Sequence, residues 1–166
     1  MSWKDFKAQA RIVEEHFSKC LINPKWANSE QDMFEHWDVE GELNGKLLKF
    51  DVKGMKKINR LDVNYQDDIT WVEGTNVHGK IGWIKGKANI IVFERFFCWL
   101  LVDREELLHL VTTKLKENNY KKGKGIYMIY QREGRKDKIT MVPYQDIEQL
   151  THIQKIMIGE PHDTPA

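Results

Sequence analysis

His36-Trp37-Asp38-Val39-Glu40-Gly41-Glu42-Leu43-Asn44-Gly45-Lys46-Leu47-Leu48-Lys49-Phe50-Asp51-Val52-Lys53 is the stretch on which the fold turns. Asn44-Gly45 is the strongest short hairpin signal in it, because both residue types accept the positive φ of a tight two-residue turn. The turn predicts a first strand, or its approach, over Met33–Val39 and a second over Leu47–Val52. Asp38 and Asp51 then meet at one edge of a sheet, with Lys53 beside them.

Two clustered carboxylates repel each other unless a cation sits between them. A hard divalent cation such as Mg²⁺ takes oxygen ligands and keeps waters. A metal-bound water becomes a nucleophile at accessible pH, and phosphate esters are what such sites usually cleave. The plainer reading of Asp-x-Lys is two solvated residues on a strand face, in a chain that is 31% charged.

The bulk properties fit a small enzyme. A length of 166 residues suggests one domain, read as 1–158, with 159–166 as a disordered tail. A net charge of +1 provides no large global field for nucleic acid, so any attraction must be local. No apolar run is long enough for a membrane span, and no apolar signal region opens the chain. Cys20 and Cys98 lie far apart, and no Cys/His cluster has zinc spacing, so a reducing cytoplasm is the simplest setting.

Residues 3–19 read as a helix, capped by Ser2 with Asp5 three residues on, its apolar stripe being Phe6, Ala10, Val13 and Phe17. Asn23-Pro24 ends that region, and residues 54–62 read as a basic loop or short turn. Further strands are predicted over 68–73, 88–94 and 96–102, the last two nearly continuous apolar runs. Asp103, with Glu106 following, caps a helix that runs to about Asn118. Ile126–Gln131 and Lys138–Val142 suggest a terminal hairpin around Glu133-Gly134, and Tyr144 onward a last helix to about Ile158. The order of elements predicts an α/β (α+β) domain with a central mixed β-sheet flanked by helices.

At Asp38 and Asp51-Val52-Lys53 the sequence resembles the PD-(D/E)XK nuclease superfamily, with its restriction-endonuclease-like core. The segment from Trp71 to Glu94 is similar to the third and fourth strands of small phage-encoded members, with a Trp-Val-Glu strand and an Asn-x-x-Gly-x-x-Gly-Trp loop. The likeness covers about residues 3–112, and it departs at Asn89, where those proteins tend to carry an acidic residue.

The resemblance implies a metal-dependent endonuclease that hydrolyses phosphodiester bonds in DNA. Asp38 and Asp51 would hold Mg²⁺ or Mn²⁺, the backbone carbonyl of Val52 would add a ligand, and Lys53 would assist the attacking water. The superfamily places a further acidic residue on the first helix, where Glu14 and Glu15 are the candidates. Helical phase sets Glu14 at the boundary of the apolar stripe and turns Glu15 away, so Glu14 is the expected participant. Glu73, at the end of a strand, is a weaker candidate.

Lys56, Lys57 and Arg60 follow the Asp-x-Lys strand, and Lys80, Lys85 and Lys87 punctuate the glycine loop around Trp83. The lysines and Arg60 suit phosphates, and Trp83 suits an unpaired base as well as it suits a core. Duplex, branched and single-stranded DNA all remain open as partners, and a homodimer would suit cutting of both strands. The rival readings are a catalytically inactive nucleic-acid-binding protein on the same fold and a phage–host interaction protein.

Overall fold

Asn44 and Gly45 both take positive φ, 53° and 78°. That pair of angles belongs to the turn whose twist matches two antiparallel strands, and the hairpin forms as its sequence predicts. The computed structural model describes residues 2–57 and 64–158; Arg60 and the predicted tail at 159–166 lie outside them.

In chain order the described residues form α1 (Trp3–Ser18), β1 (Ile22–Trp26), a π-helix (Gln31–Glu35), β2 (Val39–Leu43) and β3 (Lys46–Lys53). There follow β4 (Lys56–Lys57), β5 (Tyr65–Gln66), β6 (Ile69–Thr75), a 3₁₀ turn (Trp83–Lys85) and β7 (Ile90–Glu94). β8 (Cys98–Asp103), α2 (Arg104–Glu117), β9 (Lys138–Pro143), α3 (Tyr144–Ile147) and β10 (Ile153–Met157) complete the order. The fold is α+β, built on a six-stranded mixed sheet in the order β1-β2-β3-β7-β8-β10. Only β3 and β7 run parallel; the other neighbours in that sheet are antiparallel.

Each face of this sheet carries its own apolar cluster. Phe50, Val52, Val92, Trp99 and Leu101 meet Phe17 of α1 on one face. Phe17 packs 5.3 Å from the Phe50 ring and 5.5 Å from Trp99. Ile91, Phe93, Leu100 and Val102 point the other way, against Leu107 and Val111 of α2 and the β6–β9 ribbon. Successive strand residues point to opposite faces, so Asp51 and Lys53 share the α2 side with Ile91 and Phe93, their register partners on β7.

The Ser2–Asp5 capping box starts α1 as predicted. Its apolar stripe is used only in part: Phe17 is buried, while Phe6 stands 46% exposed and Ala10 is exposed. Asp103 caps α2 by accepting from Glu106 N–H at 2.9 Å.

Five segments differ from the sequence reading. Lys56–Lys57, read as loop, pairs antiparallel with Tyr65–Gln66. Ile22–Trp26 is a strand despite Pro24; it is an edge strand with a bulge, the setting in which a missing N–H is tolerated. Before Val39 the chain makes a π-helix in place of a strand, begun by reciprocal side-chain bonds between Asn28 and Gln31. Lys138–Pro143 pairs along its length with β6, and the segment before it keeps only isolated bridges, such as Tyr130 with Ile139. The distant partner wins because it buries Thr70, Val72, Thr140 and Val142 together. The last helix stops at Ile147; the Glu106 carboxylate accepts the Thr151 and His152 N–H groups and leads the chain back as the edge strand β10. No helix among the described residues is long and apolar enough to cross a membrane.

Candidate active site

Asp51 is 3% exposed near the end of β3. Its Oδ1 lies 2.9 Å from Lys53 Nζ, two residues along the same strand face. The Lys53 ammonium also stands 4.6 Å from the centre of the Trp83 ring. Asp38 precedes β2, and its N–H donates to Phe50 O at 2.8 Å, extending the hairpin ladder by one residue. With Val39 opposite Phe50, this places Asp38 opposite Asp51. Asp38 Oδ2 accepts from Val52 N–H at 2.7 Å, which pins its carboxylate against the β3 backbone.

Glu14 reaches this group from α1. Its side chain is 16% exposed, that of Glu15 is 59% exposed, and Arg11 lies 3.7 Å from the first and 3.4 Å from the second. The helical phase therefore separates the two as expected. Glu14 comes within hydrogen-bonding reach of Asp38. Two carboxyl groups that close need a proton or a cation between them.

The protonation equilibria follow from this crowding. Burial, and then the Asp51 charge, push Asp38 well above the usual carboxylate range, with Glu14 adding to the rise and Lys53 and the Val52 N–H opposing it. Burial also raises Glu14, against the hydrogen bond with Asp38 and the Arg11 charge. For Lys53, burial acts to lower the pKa, but Asp51, Asp38 and Glu73 outweigh it and the net direction is upward. Lys53 is a firmly held ammonium.

The donor set suits a hard cation. Asp51 Oδ2 is buried without a hydrogen-bond partner, an expensive condition for a carboxylate oxygen. Among the described residues no three His, Cys, Asp or Glu side chains are gathered closely enough to enclose an ion by themselves. Mg²⁺ does not need such a cage, since it is commonly held by one or two carboxylates and retains waters. Asp38 and Asp51 would be the pair to hold it, with Glu14 beside Asp38 and the Val52 peptide, bonded to Asp38, next to Asp51 on β3.

The remaining candidates divide. Lys56, Lys57, Lys80, Lys85 and Lys87 are exposed. Packing around the Lys56 ammonium, and then the Lys53 charge, lower its pKa against the pull of Asp51 and Glu94. Trp83 is not a stacking platform for a base: it is 8% exposed, packed against Phe93 and beneath Lys53. Asn89 is structural, its Oδ1 accepting from Lys49 N–H at 2.8 Å and prolonging the β3–β7 junction.

Glu73 gains weight. Burial raises its pKa while Lys53, His36 and the Trp83 N–H oppose the rise, so this carboxylate faces the site rather than lying at an exposed strand end. No local sequence pattern signals it: the close approach of Gly82, where a Cβ would run into the Glu73 backbone, is made by the tertiary fold. Comparison with protein-family models, curated proteins and solved structures finds no match to this chain.

Proposed function

We propose that this chain is a metal-dependent nuclease of the PD-(D/E)XK type, hydrolysing phosphodiester bonds in DNA. The observation that carries the reading is Asp51, a buried carboxylate with one oxygen on Lys53, the other unpartnered, and Asp38 opposite. Asp38, Asp51, the Val52 carbonyl and Glu14 would hold Mg²⁺ or Mn²⁺. When bound, the ion would supply Lewis-acid activation of water and of the phosphate.

The chain's own contribution is positional and electrostatic. Lys53 keeps its proton, so it serves as a fixed positive charge that orients the attacking water and offsets charge developing on phosphorus-bound oxygens. The flat Trp83 ring beneath it limits where the ammonium can go. Glu14 holds Asp38 from the helix side, and Glu73 adds to the negative field around Lys53.

A second reading rests on the same pair. Asp51 and Lys53 form a nearly buried salt bridge, and such a bridge also occurs as a purely structural element in a binding protein without activity. Incubation of plasmid and single-stranded DNA with Mg²⁺, Mn²⁺ or EDTA separates the two. Cleavage with either metal, absent in EDTA and abolished in a folded Asp51→Asn variant, is the expected result. Wild-type rates from Asp51→Asn, or no cleavage with any metal, would overturn the nuclease reading.

A further inference from the structure

We infer that the π-helix and the glycine loop form a ledge that stacks an unpaired DNA base, with Phe34 as the stacking ring, so that the preferred substrate carries unpaired nucleotides beside the cleaved bond. This rests on the nuclease reading and adds the substrate class.

Phe34 lies on the π-helix and is 55% exposed, with Met33 beside it at 60%. From the glycine loop, Ile81 and Val77 are 50% and 40% exposed. Lys80 Nζ lies 5.6 Å from the centre of the Phe34 ring. An exposed aromatic ring with an ammonium at hand is what a nucleotide needs, a π-face for the base and a cation for its phosphate. Lys85 and Lys87, also exposed, follow the same loop.

The ledge adjoins the carboxylates. His36, just past the π-helix, contacts Ile81 O, and the next residue of the loop, Gly82, packs against the Glu73 backbone so closely that a Cβ would collide with it. Phe34 precedes His36 by two positions, and Asp38 follows Phe34 by four.

The ledge is also stiff. His36 adopts a left-handed conformation (φ 56°), unusual for a side-chain-bearing residue, and its Nε2 donates to Ile81 O at 3.0 Å, tying the π-helix to the loop. Lys87 N–H donates to Glu35 O at 2.7 Å. Within the loop, Asn76 Oδ1 accepts from both His78 and Lys80 N–H groups at 3.0 Å. The π-helix holds Met33 and Phe34 outward on a backbone tied to the loop.

A ring of this kind discriminates by pairing state. Bases within a duplex already stack on their neighbours, and exposing a face costs a few kcal/mol, whereas an unpaired base offers its face freely. Trp83, the aromatic that the sequence suggested for this role, is buried, and Phe34 is the ring left accessible.

The test is binding of fluorescently labelled oligo(dT) and of a blunt duplex in Ca²⁺, by anisotropy, for wild type, Phe34→Ala and Phe34→Tyr. Phe34→Ala should weaken oligo(dT) binding about five- to a hundredfold and leave duplex binding unchanged, and Phe34→Tyr should restore it. Unchanged oligo(dT) affinity in Phe34→Ala, equal losses on both DNAs, or a wild type that does not bind oligo(dT) would each overturn the ledge. The exposed position of Phe34 makes misfolding of these variants unexpected, and thermal melts check it. These titrations need no turnover. Cleavage without a Phe34 effect removes the ledge alone; Phe34-dependent binding without cleavage removes the nuclease reading alone.

Discussion

Lys53 Nζ sits 2.9 Å from Asp51 Oδ1, bound to a residue on its own strand face rather than to a partner from elsewhere in the chain. The pair is local to β3, yet its surroundings are entirely tertiary: Asp38 from the neighbouring strand, Glu73 from β6, and Trp83 below.

Removal of Lys53 distinguishes a transition-state charge from a strand-end residue. Lys53→Ala should leave Ca²⁺-dependent DNA binding near wild type and cut single-turnover cleavage by about 10²–10³. Lys53→Arg should restore only part of the rate, because a planar guanidinium does not place charge where a compact ammonium does. Normal turnover by Lys53→Ala would remove Lys53 from the mechanism.

The raised pKa of Asp38 has a definite sign in stability. The folded state holds this proton more tightly than the unfolded chain, so between the ordinary Asp value of 3.8 and the raised folded value the native state binds more protons. In EDTA, stability from this group is greatest below that window and is lost as pH rises through it. Asp38→Asn should flatten this part of the Tm–pH profile, and Mg²⁺ should raise the wild-type Tm most at the alkaline end of the profile. Parallel profiles for wild type and variant in EDTA would contradict the assignment.

Glu14 and Glu15 are adjacent in sequence and differ in burial. Glu14→Gln should raise the Mg²⁺ concentration needed for half-maximal cleavage, and Glu15→Gln should not. Metal titrations of cleavage for the two variants decide it, with equal shifts counting against the helical phase argument.

Lys85 and Lys87 are proposed phosphate contacts. The Lys87 ammonium lies 3.8 Å from Glu35 Oε1 with its side chain 71% exposed, an arrangement worth little in water. It therefore remains free to meet DNA. Each alanine substitution should lower the slope of log Kd against log salt by about 0.7–0.9. An unchanged slope in a salt series would move the DNA to another face.

Trp83→Ala should behave as a core truncation. An expected loss of about 3–5 kcal/mol in urea unfolding reflects the cavity left beside Phe93. A small stability loss with a large loss of oligo(dT) binding would reassign Trp83 to the interface.

The hairpin at Asn44-Gly45, the meeting of Asp38 with Asp51, the Ser2 and Asp103 caps and the inward turn of Glu14 were all legible in the sequence. Each depends on backbone angles or periodicity within a few residues, and short-range sterics determine those. Tertiary structure alone decided the rest. β9 could pair with its chain neighbour or with β6, and the larger buried face chose β6. β10 became an edge strand because Glu106 on α2 captured the backbone before it. Trp83 and Phe34 are both aromatics near charged residues in sequence. Which is core and which faces solvent follows from the His36–Ile81 and Gly82–Glu73 contacts, between segments whose approach no local pattern encodes.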